Sequence, residues 1–302
     1  MGSTGSFDCA VIGGGVMGCS TALHLARAGM RVALIERGGL CREASGTNAG
    51  TLTLQMTRAA LMPYALKGFE MWRTTSDWLG MDVGTRVLDG LSLAFTEAQA
   101  EMLESRAQSR REAGAPIEII GPERARTIEP GLSDRVLLAA YCPVDGFAVA
   151  YLTGLAFRQA LLASGVALRE NQRVHTVDAG DDGFRVRFTS AALHAKRIVL
   201  AGGVWLEEMI PWLGLHIPVQ CLANQLLITE RVAPVMRTIL GVANGKLSLK
   251  QFDNGTVLVG GGWQGKGNLD RGGAELVPRN VIGNLMLAGY AIPSLKTARI
   301  VR

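Results

Sequence analysis

The residues with the clearest chemical purpose are six near the start of the chain, Gly13-Gly14-Gly15-Val16-Met17-Gly18, and one acid further on, Glu36. The six follow an apolar run at 7–12 and open a stretch, 16–28, whose apolar residues (Met17, Ala22, Leu25, Ala26) recur at helical spacing up to Gly29. A second apolar run, 30–35, closes on Glu36. Strand, helix and strand with short connections make a βαβ unit with parallel strands. At such a junction the first glycine of G-x-G-x-x-G makes the turn. The second lets backbone approach a pyrophosphate, and the third lets helix and strand pack closely. Phosphates would rest on the helix N-terminus, where free N–H groups and the dipole favour negative charge. Glu36 stands 18 residues after Gly18, where a carboxylate accepts hydrogen bonds from ribose hydroxyls. The chemistry predicted is dinucleotide binding, and Glu36 would repel the 2′-phosphate of NADP.

No second constellation of this kind is present. His24, His175, His194 and His216 are scattered and read as structural. Cys9, Cys19, Cys41, Cys142 and Cys221 are odd in number and lack metal-type spacing, so reduced thiols in a cytoplasmic protein and no metal are expected. The five tryptophans read as core or interface residues, with interest only in Trp205 for its place after Gly203. No paired carboxylates and no Ser-His-Asp set stand out.

The elements that must position these groups change character along the chain. A loop rich in Gly, Ser and Asn (38–50) leads to an expected long helix at about 57–79. Strands at 83–87 and 91–95 read as a hairpin around Asp89-Gly90, followed by an exposed helix at 97–113 and strands at 117–120 and 136–141. Helix returns at 151–163, then strands at 167–168, 173–177, 184–188 and 197–200, the last running into Ala201-Gly202-Gly203. From Ile217 onward the chain reads as strand-rich (225–229, 246–251, 256–259), with Asp253-Asn254-Gly255 a strong hairpin turn. The alternation predicts two interleaved domains in an α/β fold. A Rossmann-like dinucleotide-binding domain takes residues 1–82 and 147–215, and an α+β substrate domain on a mainly antiparallel sheet takes 83–146 and 216–302.

Composition narrows the class. With 302 residues, 48% hydrophobic and 19% charged, the chain has ample material for a core. Its 38 glycines, well above the usual ~7%, fit many tight turns. The net charge of +5 is spread over helix faces where arginines 106, 110, 111, 124 and 126 alternate with glutamates, so no nucleic-acid partner is expected. No apolar run approaches the ~18 residues of a membrane span. Residues 1–6 lack the cationic start of a signal peptide. They fit the loose myristoylation pattern at Gly2 but read better as a short leader.

Three stretches together resemble the D-amino-acid oxidase superfamily of FAD-dependent oxidoreductases. They are residues 8–36, Ala44-Ser45-Gly46-Thr47-Asn48-Ala49-Gly50, and Ile198-Val199-Leu200-Ala201-Gly202-Gly203-Val204-Trp205. Glycine oxidase, sarcosine oxidase, D-amino-acid dehydrogenase and the β subunits of amine dehydrogenases belong to that superfamily. The resemblance implies FAD as cofactor, with Gly13, Gly15 and Gly18 at the pyrophosphate and Glu36 at the adenosine ribose. It places Ser45, Asn48, Ala49 and Gly50 along the pyrophosphate, ribityl and ring-edge region, Val174 against adenine, and Gly202 close to the cofactor. The implied reaction is oxidation of the C–N bond of an amino acid or secondary amine by hydride transfer to flavin. The substrate carboxylate needs a cation or hydroxyl donor. Arg58, Tyr64, Tyr141 and Lys250 are candidates, with Lys250 and Gln251 ranked first because they end a strand of the expected substrate domain. Which amino acid or amine is oxidised, and whether oxygen, a quinone or a partner subunit takes the electrons, stay open.

The last residues, 297–302, read as a strand just beginning, whereas chains of the superfamily continue. The resemblance therefore also implies a chain lacking the C-terminal part, and alternatives remain: a truncated non-catalytic fragment, a subunit of a larger assembly or a homo-oligomer, or an NAD-dependent dehydrogenase.

Overall fold

The structure, a computed structural model, describes residues 3–267 and 274–302. In chain order the first half contains β1 (Ser3–Ile12), α1 (Val16–Arg27), β2 (Val32–Ile35), β3 (Thr51–Leu52), α2 (Met62–Arg73), α3 (Thr75–Leu79), β4 (Arg86–Ala94), α4 (Glu97–Glu112), β5 (Glu118–Ile120), α5 (Pro122–Ile128) and β6 (Leu138–Phe147). The second half contains α6 (Ala150–Ala163), β7 (Ala167–Arg169), β8 (Val174–Gly180), β9 (Gly183–Phe188), β10 (Ala191–Leu200), α7 (Leu206–Met209), β11 (Leu227–Arg231), β12 (Ile239–Val242), β13 (Ser248–Gln251), β14 (Thr256–Gly260) and α8 (Pro278–Ala291).

These strands build two sheets. The first runs β7-β2-β1-β10-β9-β8, with β1 parallel to both β2 and β10, and β9 antiparallel to its neighbours. Because side chains alternate across a strand, Cys9, Val11, Val32 and Leu34 face α1 and α6, whereas Ala10, Ile12, Ala33 and Ile35 face the opposite core with Val177 and Val186. Each large aliphatic side chain buried here contributes about 1.5–3 kcal/mol, which holds the glycine turn at the end of β1 on a rigid support. The second sheet runs β11-β14-β13-β12-β4-β6-β3, with β5 also on β6, and only the β12–β4 pair is parallel. Leu91, Leu93, Leu240, Leu249, Val257 and Val259 pack under α8. The fold is thus the expected combination of a Rossmann-like α/β unit and a mainly antiparallel sheet.

Several local expectations change. β1 begins at Ser3 and pairs with β10 from there, so residues 3–6 are strand and not leader; the Gly2 pattern lies outside the described residues. The helix expected at 57–79 is a short 3-10 turn at Ala59–Leu61 followed by α2 and α3. It breaks at Thr74, whose backbone leaves the helical region (φ −114°, ψ 32°), and the Trp78 indole donates to the Met71 carbonyl at 2.7 Å. The hairpin at Asp89-Gly90 is instead one continuous strand, β4, with a bulge against β6 between Leu88 and Gly90. Gly90 has no positive φ in the bulge; a glycine is needed there because the Asp145 carboxylate lies against it. The stretch after Ile217 holds a long helix as well as strands: α8 opens at Pro278, a good first helical position. At the other end, the strand expected at 297–302 is absent: Pro293–Thr297 is a 3-10 turn, and beyond it Ile300 makes one isolated bridge to Thr229. Among the described residues no helix is long and apolar enough to cross a membrane.

Candidate functional site

The site begins where β1 turns into α1. Gly13 has φ +108°, and a β-carbon there would overlap the Ala201 carbonyl at the end of β10. A β-carbon on Gly18 would overlap the Gly13 carbonyl, so helix and turn are in contact only because both residues lack side chains. Gly15 is the N-cap of α1 with extended backbone, and a β-carbon there would stand 3.2 Å from Ser45 Oγ. That hydroxyl accepts the Val16 amide at 3.0 Å, which ties the loop after β2 to the first turn of α1.

Glu36 closes β2 and holds this turn from the other side. Its Oε2 accepts the Gly14 amide at 2.6 Å and its Oε1 the Gly38 amide at 2.7 Å. A carboxylate has about four acceptor positions, so lone pairs remain for ribose hydroxyls. The Gln172 amide donates to the Glu36 carbonyl at 2.8 Å, which brings the start of β8, and with it buried Val174, to the same place.

Between these elements lies a cavity of about 710 Å³, bordered by Gly13–Gly15, Glu36, Ser45, Val174, Gly202 and Trp205. Its size suits a large cofactor. The residues fit the ADP half of FAD: a backbone cradle that β-carbons would fill, a helix N-terminus for the pyrophosphate, and an acid for the ribose. Arg37, beside Glu36, lies over the Trp205 ring at 3.7 Å from its centroid and pairs with Glu43 at 2.9 Å. Arg173 reaches Glu208 at 3.6 Å along another part of the same rim. Among these rim residues, only Trp205 stands out in the sequence. Arginines and glutamates are too common on surfaces for their types alone to mark a rim.

Asn48, Ala49 and Gly50 do not border this cavity. Asn48 donates to the Ala44 and Ser45 carbonyls and accepts the Gly50 amide at 2.6 Å, making a self-contained turn. Gly50 has φ +65° and packs on the Ala148 carbonyl. The turn delivers the chain to β3, which pairs with β6 in the second sheet.

The substrate-side candidates separate sharply. Arg58 is exposed and Tyr64 is 78% exposed. Tyr141 donates to Asp89 at 2.8 Å, and burial together with that carboxylate pushes its hydroxyl up to about 12. Gln251 spends its amide on backbone, accepting from Val235 and donating to Val232, Ala233 and Gly255. Lys250 alone is a buried cationic group, 1% exposed. Its Nζ donates to Thr51 Oγ1 at 2.8 Å and lies over the rings of Phe147 and Phe252. Burial pushes its ammonium down to about 7, and no carboxylate pairs with it among the described residues.

Asp145 is not among the candidates that the sequence marks. This carboxylate, 1% exposed, accepts the Leu54 amide, the Thr53 hydroxyl and the Gln55 side-chain amide, fastening the segment after β3. Burial pushes its carboxyl up. A single aspartate inside a strand offers no sequence signal for such a role. The five cysteines are free; Cys19 is buried and its thiol is pushed far up by a hydrogen bond with Cys41 and by burial.

Comparison with known proteins agrees with this geometry. Residues 8–297 match the family profile described as FAD dependent oxidoreductase, DAO. The chain is 28% identical over 264 residues to one of the subunits of the opine oxidase of Rhizobium meliloti, covering 84% of this chain and 70% of that protein. It is 27% identical over 303 positions to glycine oxidase of Geobacillus kaustophilus, covering 98% and 79%. The crystal structure of glycine oxidase from Geobacillus kaustophilus superposes with a TM-score of 0.88 at 25% identity, over 98% of this chain and 81% of that one.

Proposed function

This chain belongs to the family of FAD-dependent oxidoreductases, and from that premise we propose that it oxidises the C–N bond of a small amino acid or secondary amine. The observation that carries the reading is the cavity joining the glycine cradle, the Glu36 carboxylate and the Gly202 turn. Bound there, FAD supplies a hydride acceptor for the carbon that bears the nitrogen. The amides of the α1 N-terminus hold the pyrophosphate, with Gly13, Gly15 and Gly18 leaving room for it, and Glu36 accepts from the adenosine ribose. Val174 packs on adenine, and Gly202 lets the turn after β10 approach. Ser45, Asn48, Ala49 and Gly50 shape the loop toward the ring end of the cofactor. Lys250 takes the substrate carboxylate: it is a buried ammonium with one hydrogen-bond partner and two further N–H groups to give. Opine oxidase and glycine oxidase among the relatives support amino acids and their N-substituted derivatives as the substrate class.

The division of labour follows the two sheets. Residues 1–82 and 147–215 form the cofactor domain and 83–146 and 216–302 the substrate domain, with β3 crossing from the first to pair in the second. Anaerobic bleaching of the flavin-loaded protein against a panel of amino acids and N-alkyl amino acids tests the activity. Bleaching by one class supports the reading, and a flavin that no member reduces overturns it.

A second reading rests on the opine oxidase relative, which is itself one subunit of an enzyme: this chain works with a partner subunit. Mass measurement of the protein purified from its own cells tests that, and a monomer there would count against it.

A further inference from the structure

A small recess sits on the second sheet beside β3, apart from the large cavity. One cross-strand row forms its floor: Ser92 on β4, Gly241 on β12 and Ser248 on β13 lie side by side. Gly241 has no side chain, so the row has a gap between two hydroxyls. The recess has a volume of about 20 Å³ and is bordered by Thr51, Thr53, Gln55 and Asp145 as well as the row. That is room for one water-sized group.

Gln55 is 6% exposed, and its Oε1 has no hydrogen-bond partner. The amide cannot be turned round, because Nε2 donates to the Asp145 carboxylate at 3.1 Å and a carboxylate only accepts. The acceptor oxygen is therefore fixed and unpaired. The hydroxyls of Ser92 and Ser248 make no side-chain hydrogen bond among the described residues. An unpaired buried acceptor is costly unless something donates to it. What would satisfy this set is a donor. A carboxylate oxygen would face the Gln55 oxygen and the Asp145 carboxylate and be repelled by both. The NH3+ head of a primary amine can donate to Gln55 and to both serines while the acid beneath favours its charge.

We propose that the recess bounded by Gln55, Ser92, Gly241 and Ser248 binds the nitrogen of the substrate, admitting the head of a primary amine and excluding nitrogen that carries further substituents. The choice of ligand rests on the amine-oxidation reading. Lys250 supports it, because it is two residues from Ser248 on β13, hence on the same face, and it reaches Thr51 at the rim. A small amino acid would lie across β13 with its nitrogen in the recess and its carboxylate toward Lys250.

Two variants test this without breaking the fold. In Gly241→Ala the new methyl would stand 3.5 Å from the Leu247 carbonyl and 3.9 Å from Ser92 Oγ, ordinary contacts, yet it fills the floor. Gln55→Met removes the acceptor and keeps the length. The flavin-loaded parent, titrated calorimetrically with methylammonium chloride against sodium chloride at equal ionic strength, is expected to bind saturably. Gln55→Met should weaken binding about tenfold or more, as loss of a hydrogen bond to a charged group does. Gly241→Ala should abolish it with an unchanged melting temperature. Binding of methoxyacetate, a carboxylate without nitrogen, should change little in either variant. No saturable binding by the parent, or equal binding by all three proteins, would mean that the recess holds a structural water only and would overturn the proposal. Methylammonium binding in a protein whose flavin no amino acid bleaches would leave the recess standing and remove the amine-oxidation reading instead.

Discussion

The Asp145 carboxylate lies directly on Gly90 of the neighbouring strand, so that a β-carbon on Gly90 would overlap Oδ2. The same carboxylate collects the Thr53 hydroxyl, the Leu54 amide and the Gln55 side chain at 2.8–3.1 Å. Gly90 is thus the space into which the anchor of the segment after β3 fits. Gly90→Ala is expected to destabilise the protein by about 1–3 kcal/mol, the usual cost of overpacking. Equilibrium urea unfolding reads this as a lower midpoint with the same slope. An unshifted midpoint would mean that Asp145 moves aside freely.

Glu36 does two jobs that substitution can separate. It caps the Gly14 and Gly38 amides, and in the proposed function it accepts from the adenosine ribose. Glu36→Ala should weaken FAD binding by about 1–3 kcal/mol, measured by quenching of flavin fluorescence on titration. It should also lower the melting temperature of the cofactor-free protein, because two part-buried amides lose their acceptor. Equal FAD retention in variant and parent would remove the ribose assignment and leave only the capping role.

Gly15 borders the large cavity at the N-cap of α1, where the proposed function places the pyrophosphate. Its φ of −71° is open to any residue, so a side chain there strains no backbone. Gly15→Val is therefore expected to fold, with only local adjustment of Ser45, and to purify without flavin, since the added methyls project where pyrophosphate and backbone meet. Absorbance in the flavin bands relative to protein gives the answer, and full occupancy would contradict the placement.

Lys250 predicts a pH dependence of stability with a definite sign. Its ammonium titrates near 7 in the folded protein against 10.5 ordinarily. Between those values the unfolded chain binds a proton that the folded chain does not, so stability rises with pH across that window. Below about pH 7 both states carry the charge, and the whole burial cost is felt. In Lys250→Met that contribution is gone. The stability of the parent relative to the variant should therefore increase from pH 7 to pH 10, by denaturant unfolding at each pH. A constant difference would place the ammonium in a wetter site than its 1% exposure indicates.

The sequence by itself determined the glycine turn and the acid beside it. Gly13, Gly15, Gly18 and Glu36 act through local backbone geometry: a turn needing positive φ, a helix N-terminus and an acid at the end of the next strand. Such features are set within about 25 residues, so spacing alone exposes them. Val174 is reachable only through the family resemblance, and the structure brings it to the same cavity through the backbone hydrogen bond of Gln172, two residues before it, to Glu36. The second sheet is legible only in outline. Asp89-Gly90 carries the same dipeptide whether it turns a hairpin or bulges a strand, and what decides it is Asp145, some 55 residues away, lying on Gly90. Lys250 stands out as a residue type near a strand end, but nothing local shows that it is buried against Thr51, across 199 residues of chain. Only the tertiary structure lines up Ser92, Gly241 and Ser248 in one row with the unpaired oxygen of Gln55 beside them. Cross-strand neighbours are fixed by register between distant segments, and a register one residue away would turn each of those side chains to the other face of the sheet.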